Sequence, residues 1–276
     1  MSENERVGIQ SRINQYESKF SAFLQGVSEL VPIKYILEYY PVGAACPRGK
    51  PGSNVNVDLS YLAEGFRINI EIKCPDSERR ETEKSDHQLV LYTPYSFSSS
   101  EESKTLASKA SQGMDVGLPG NDIKKLESFL NDCVRKFSVV SKSGELNVAL
   151  ISLSSPEEMD EWRLKIQVEG VLKNFPSIHT VILSSIAYEH RVAQRGGNRQ
   201  YRLNLNECFN VIYQNQHYPK NISQGAVRAL VKTFPNHNEA VSSWLSIFKG
   251  PNLDPLNLLD MLKLQKYYEY ALSVHA

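Results

Sequence analysis

VNVDLSYLAEGFRINIEIK, residues 55–73, is the stretch on which the fold turns. Val55, Val57, Leu59 and Tyr61 alternate with Asn56, Asp58 and Ser60, and Ile68, Ile70 and Ile72 alternate with Arg67, Asn69, Glu71 and Lys73. A period of two marks a half-buried β-strand, so the segment predicts two of them. Between them, Glu64 and Gly65 suit a two-residue hairpin loop, because glycine accepts a positive φ without steric cost. That loop implies a register: Leu59 faces Ile70 and Val57 faces Ile72 on an apolar side, while Asp58 faces Glu71 and Asn56 faces Lys73 on a polar one. A one-residue slip would turn every apolar side chain to the wrong face, so turn and pattern support the same pairing.

Working outward, Ile13, Tyr16, Phe20, Phe23, Leu24 and Val27 recur at threes and fours and predict a first helix over 9–27, with a second apolar stretch from Leu30 to Tyr40 ending at Pro41. After the hairpin, residues 76–120 are rich in serine, charge and glycine and are expected to form a flexible insertion. Then come a helix over 122–137, with Ile123, Leu126, Leu130, Cys133 and Val134 inward, a buried strand over 146–153, a helix over 156–173 and a second buried strand over 179–188. Strand, helix, strand at this spacing is a crossover unit and implies parallel pairing. Residues 191–205 suggest a hairpin with Arg195-Gly196-Gly197-Asn198 at its tip, and helices are expected over 223–234, 238–248 and 256–272. The organisation is thus a core over 1–190, with the insertion at about 76–120, followed over 191–276 by a basic hairpin and a helical C-terminal extension.

Composition narrows the class of function. With 276 residues and 41% apolar content the chain can bury a full core. Basic and acidic residues are equal at 31 each, so any polyanion must be met by a local patch rather than a global field. Cys46, Cys74, Cys133 and Cys208 follow no zinc-ligand spacing and suit reduced thiols of a cytoplasmic protein. No apolar run approaches the roughly 18 residues of a membrane span. Gly113, Gly117 and Gly120 lack the Lys-Ser/Thr of a phosphate loop, and no nucleophile-elbow pattern is present.

On the polar side of the hairpin, Asp58 and Glu71 would project from points roughly 5 Å apart. Two carboxylates that close repel unless a cation lies between them. A hard ion such as Mg²⁺, with Mn²⁺ as a substitute, takes one or two carboxylates and keeps sites for water and phosphate oxygens. It then polarises a phosphoryl group and acidifies a bound water. Lys73, two residues along the same strand face, is suited to orient that water or to stabilise the developing charge. These are the parts that phosphodiester hydrolysis requires.

Asp58, then Glu71-Ile72-Lys73 after a hairpin, with a helix before and helix, strand, helix, strand after, resembles the PD-(D/E)XK superfamily of restriction-endonuclease-like nucleases. Val57 stands where the motif often has proline. The resemblance implies an α/β core with a mixed central sheet flanked by helices, magnesium-dependent endonuclease activity on nucleic acid, DNA ahead of RNA, and roles in restriction, repair, recombination or phage defence. It also implies a further acidic residue from the first helix, Glu17 first and Glu29 second, and the homodimers common in the superfamily, for which the helix over 256–272 is a candidate interface. Beside it, Arg191, Arg195 and Arg199 are expected to grip the phosphate backbone, since arginine forks match phosphate geometry. The rival class is a non-catalytic nucleic-acid- or protein-binding module of a larger assembly; a third is an α/β enzyme whose 76–120 excursion covers a small substrate.

Overall fold

The structure is a computed structural model, and it describes residues 10, 11, 13, 14, 19–40, 56–75, 89–90, 116–117, 122–154, 162, 166, 170–195, 205, 208, 210–218 and 224–235. In chain order its principal elements are α1 (Phe20–Tyr39), β1 (Leu59–Ala63), β2 (Phe66–Lys73), α2 (Asp122–Val140), β3 (Leu146–Ser152), β4 (Thr180–Ser184), α3 (Ile186–Arg195), β5 (Asn210–Gln214) and α4 (Gln224–Thr233). The strands form one five-stranded sheet in the order β1-β2-β3-β4-β5. β2, β3 and β4 run parallel, and β1 and β5 close the two edges antiparallel. A mixed sheet flanked by helices, of the α/β class, is therefore the architecture. Within residues 76–120 the described part is a short parallel pairing of Leu89–Val90 with Val116–Gly117.

The hairpin has the expected turn and register. Leu59 pairs with Ile70 and Ala63 with Phe66, leaving Glu64 and Gly65 as the loop. Both have positive φ, 49° and 83°, as the turn that matches strand twist requires. Two expectations about its faces are corrected. β2 is not half-buried, because β1 and β3 flank it and helices cover both its faces, so Asn69 and Glu71 are as buried as Ile68 and Ile70. Nor does Val57 share a face with Leu59. Leu59, Tyr61, Ile68, Ile70 and Ile72 pack with Val31 and Ile36 of α1 and Leu230 of α4, whereas Val57 packs with Leu126, Leu130 and Cys133 of α2. The chain bends at Asp58, whose Oδ2 accepts the Ile72 N–H at 2.8 Å in place of a ladder carbonyl.

The molecule is thus three layers deep. On the side of α1 and α4, Ile68, Ile70, Ile72, Val148, Leu150 and Ile182 form the larger apolar cluster, and Ile186 at the start of α3 joins it. On the α2 side, Ala149, Ile151, Val181 and Leu183 meet Phe137, Trp162 and Phe175. Strands covered on both faces lose the polar alternation of an exposed sheet, and Leu146–Ser152 is buried throughout.

Several boundaries differ from expectation. The first helix and the apolar stretch after it are continuous over Phe20–Tyr39, with Pro32 inside. The helix expected to reach Lys173 cannot pass Gly170, whose φ is +62°; a short 3₁₀ turn, Val171–Asn174, follows it. The strand expected over 179–188 stops at Ser184, and residues 186–195 are helical rather than the arm of a hairpin. Residues expected as a helical extension contribute a fifth strand, β5, and α4 follows near its expected place. Ile212, Ala226, Leu230 and Phe234 belong to the same core as β1 and β2. The helices expected over 238–248 and 256–272 lie outside the described residues.

Candidate active site

Glu71 and Lys73 are two residues apart on β2 and both point to the α2 layer. The Glu71 side chain is 1% exposed, and Lys73 Nζ lies 2.8 Å from its Oε1. α2 crosses this face with Leu126, Leu130, Cys133 and Phe137 turned inward, and the residues bordering that stripe bring further charge. Lys136 Nζ lies 2.5 Å from the same Glu71 Oε1. Asp132 Oδ2 accepts a hydrogen bond from Lys73 Nζ, and Asp132 Oδ1 pairs with Arg135 Nη2 at 2.5 Å. Asp132 and Lys136, four apart on one helical face, are the site residues that reading the sequence missed. The signal for them was an acid and a base beside the buried Cys133 and Phe137, but which strand that helix covers is a tertiary fact.

The electrostatics are those of a crowded carboxylate. Burial pushes the Glu71 carboxyl up to about 8 and the neighbouring Asp58 pushes it the same way, against the pull of Lys73 and Lys136. Burial alone would lower Lys73, yet Glu71 and Asp132 outweigh it and hold the ammonium above its ordinary value. Asp132, despite partial burial, is held below the ordinary carboxylate range by Lys73 and Arg135. Burial, and then Glu71, raise the Cys133 thiol well above its usual value, so Cys133 is a packing group rather than a nucleophile. Glu71 Oε2 is buried with no hydrogen-bond partner among the described residues.

Of the residues singled out from sequence, Glu71 and Lys73 lie side by side on β2. Asp58 is half-buried at the bend, close enough to act on the charge of Glu71. Glu17 lies outside the described residues. Glu29 sits half-buried on α1, the helix on the opposite layer from α2. Arg191 and Arg195 lie on α3, not on a hairpin, and α3 packs with α1 through Ala187; Arg199 is outside the described residues. His190, at the same helix, is buried edge-on to Phe23, and burial lowers its pKa to about 4.

Hard cations take oxygen donors, and the cluster offers Asp58 and the unpartnered Oε2 of Glu71, a buried acceptor that an ion would satisfy. The residues therefore fit a divalent ion held by two carboxylates with water completing its shell. No preformed cage of three or more His, Cys, Asp or Glu is present among the described residues; the third acid, Asp132, is engaged with Lys73 and Arg135. Among the described residues no helix is long and apolar enough to cross a membrane. Comparison of the chain with protein-family models, with curated proteins and with solved structures finds no match in any of the three.

Proposed function

We propose that this protein is a metal-dependent phosphodiesterase acting on nucleic acid, DNA in first place, with a restriction-endonuclease-like arrangement of Asp58, Glu71 and Lys73. One observation carries the reading: a carboxylate wholly buried on a central strand, with one oxygen unpartnered, a second carboxylate beside it and a lysine on the same strand face. Burying such a group is costly unless something compensates it, which marks a site where a charged ligand is expected.

Asp58 and Glu71 would hold Mg²⁺ or Mn²⁺. When bound, such an ion polarises a phosphoryl oxygen and acidifies a water. Lys73 keeps its proton and is aimed by Asp132, so it is placed to stabilise negative charge on the phosphate or to orient the attacking water. Glu71 competes for a proton as well as for the ion, so metal uptake would strengthen as pH rises towards about 8. Incubating the purified chain with supercoiled plasmid, linear duplex, single-stranded DNA and RNA, with and without Mg²⁺, tests the reading. Cleavage that needs Mg²⁺ and disappears in Glu71→Ala and Lys73→Ala is the expected result. Absence of divalent-dependent cleavage on all four substrates, or cleavage that survives Glu71→Ala, would sink it.

A second reading draws on a different feature. Asp58, Glu71 and Asp132 are balanced by Lys73, Arg135 and Lys136, so the cluster can also be an internal charge lock that fastens α2 to β2 in a binding module without catalysis. That reading expects no effect of Mg²⁺ on nucleic acid and a large loss of stability when Lys136 is removed.

A further inference from the structure

The two oxygens of Glu71 are in opposite situations. Oε1 takes both ammonium groups, Lys136 at 2.5 Å and Lys73 at 2.8 Å. Oε2, on the same buried side chain, has no hydrogen-bond partner among the described residues. The two lysines are not equivalent either. Lys73 also donates to Asp132, which Arg135 steadies, so Lys73 keeps an anchor if it leaves Glu71. Lys136 has Glu71 as its one ion-pair partner among the described residues. It belongs to α2 rather than to the strand, on a flexible four-carbon stem.

We propose that Lys136 is a tethered competitor for the divalent ion: it occupies Glu71 Oε1 in the unloaded protein and leaves that carboxylate when the ion binds, while Lys73 stays. The inference rests on the metal-dependent reading above and adds to it a regulation of the same site by α2. Its physical basis is that a dication and two ammonium groups cannot share one buried carboxylate without strong mutual repulsion. One cation must move, and among the described residues Lys136 is the one whose ion pair is with Glu71 alone, Asp132 being engaged by Lys73 and Arg135 and feeling Lys136 only through its charge. Because Lys136 is 14% exposed, its head group has a route to water once released. Any displacement of α2 then changes metal affinity without touching Asp58 or Glu71.

Two measurements on the full chain test this without recourse to turnover. The first is Mn²⁺ binding by calorimetry for the unaltered protein, Lys136→Met and Glu71→Gln. Lys136→Met is expected to bind Mn²⁺ roughly tenfold tighter, the scale on which neighbouring groups tune a metal site, and Glu71→Gln to lose binding. The second is acetylation of lysines followed by mass spectrometry in the unaltered protein, which does not depend on any variant folding. Saturating Mn²⁺ is expected to raise the reactivity of Lys136 several-fold and to leave that of Lys73 unchanged. Equal Mn²⁺ affinity in the unaltered protein and in Lys136→Met, or unchanged Lys136 reactivity, overturns the proposal while leaving the metal site standing. If neither protein binds Mn²⁺, the metal-dependent reading and this inference fall together.

Discussion

Two polar clusters lie on the same face of β2, one turn of the pleat apart, and they differ in kind. Around Asn69 the groups are neutral or singly charged and mutually satisfied. Ser60 Oγ donates to Asn69 Oδ1 at 2.9 Å, and Asn69 Nδ2 donates to Glu145 and to Asn147. The Asn147 backbone N–H in turn donates to His179 Nδ1 at 2.8 Å. Around Glu71, two residues on, six ionisable side chains crowd together and one carboxylate oxygen is left without a partner. A closed network of this sort specifies register and rigidity. An open, charged one costs stability and is kept where a ligand completes it. Strand alternation alone places both on one face, so partner satisfaction, not position, separates scaffold from site.

The largest effect expected from that contrast is a division of phenotypes. Glu71→Gln should abolish Mg²⁺-dependent cleavage with the fold retained by circular dichroism. Asn69→Ala should keep cleavage but lose about 3 kcal/mol of stability in urea, because Ser60, Glu145 and Asn147 each lose a buried partner. If both substitutions only destabilise, and no cleavage exists to be lost, the two clusters are alike and the second is the charge lock. Lys73→Met should fall between, slowing cleavage on the order of a hundredfold or more while leaving Mn²⁺ binding in place, since it stabilises charge rather than holding the ion.

The clusters should also respond to pH with opposite sign. Glu71 has its folded pKa raised from 4.5 to about 8, so the native state holds a proton that the unfolded chain has lost. Its contribution is present below about 4.5 and is lost as pH rises through about 8. His179 is lowered by burial from 6.5 to about 4, so the unfolded chain binds the extra proton. Its contribution is present above about 6.5 and disappears as pH falls towards about 4. Melting temperatures of the unaltered protein against Glu71→Gln and against His179→Gln should therefore diverge at opposite ends of the range, by roughly 5 °C each. Parallel curves would mean that neither group changes its protonation on folding.

What the sequence made legible follows the same division. The Leu59–Ile70 register and the Glu64-Gly65 turn could be read because alternation and turn chemistry are local, and β3 and β4 because continuous apolar runs mark strands buried on both faces. The reversal at Val57 could not, since it comes from a side chain, Asp58, taking over a backbone hydrogen bond. Asp132 and Lys136 stayed hidden because they border an apolar stripe whose partner strand no local pattern names. Gly196-Gly197 suggests a hairpin carrying Arg191 and Arg195, but a glycine pair serves equally as a stop signal after a helix, and both arginines are on α3. β5 offers only Val211, Ile212 and Tyr213 as an apolar run, too short to stand out beside helical neighbours.

The smallest effect expected concerns the turn that both clusters depend on. Glu64 holds φ = 49°, a region in which side chains other than asparagine, aspartate and glycine are strained. Glu64→Asn should relieve that strain by about 0.5 kcal/mol. Against it stands the exposed Glu64–Lys232 ion pair at 2.7 Å, an interaction of the kind that typically contributes about 0.2–1 kcal/mol and is screened by salt. The two effects nearly cancel at low ionic strength. In about 0.5 M NaCl the ion pair fades and the turn's share should emerge as a raised urea midpoint. Neither cluster contains residue 64, so cleavage and Mn²⁺ binding should not move. A loss of stability at high salt would mean that the loop does not adopt this geometry, and then the register that sets Asn69 and Glu71 on one face would lose its foundation.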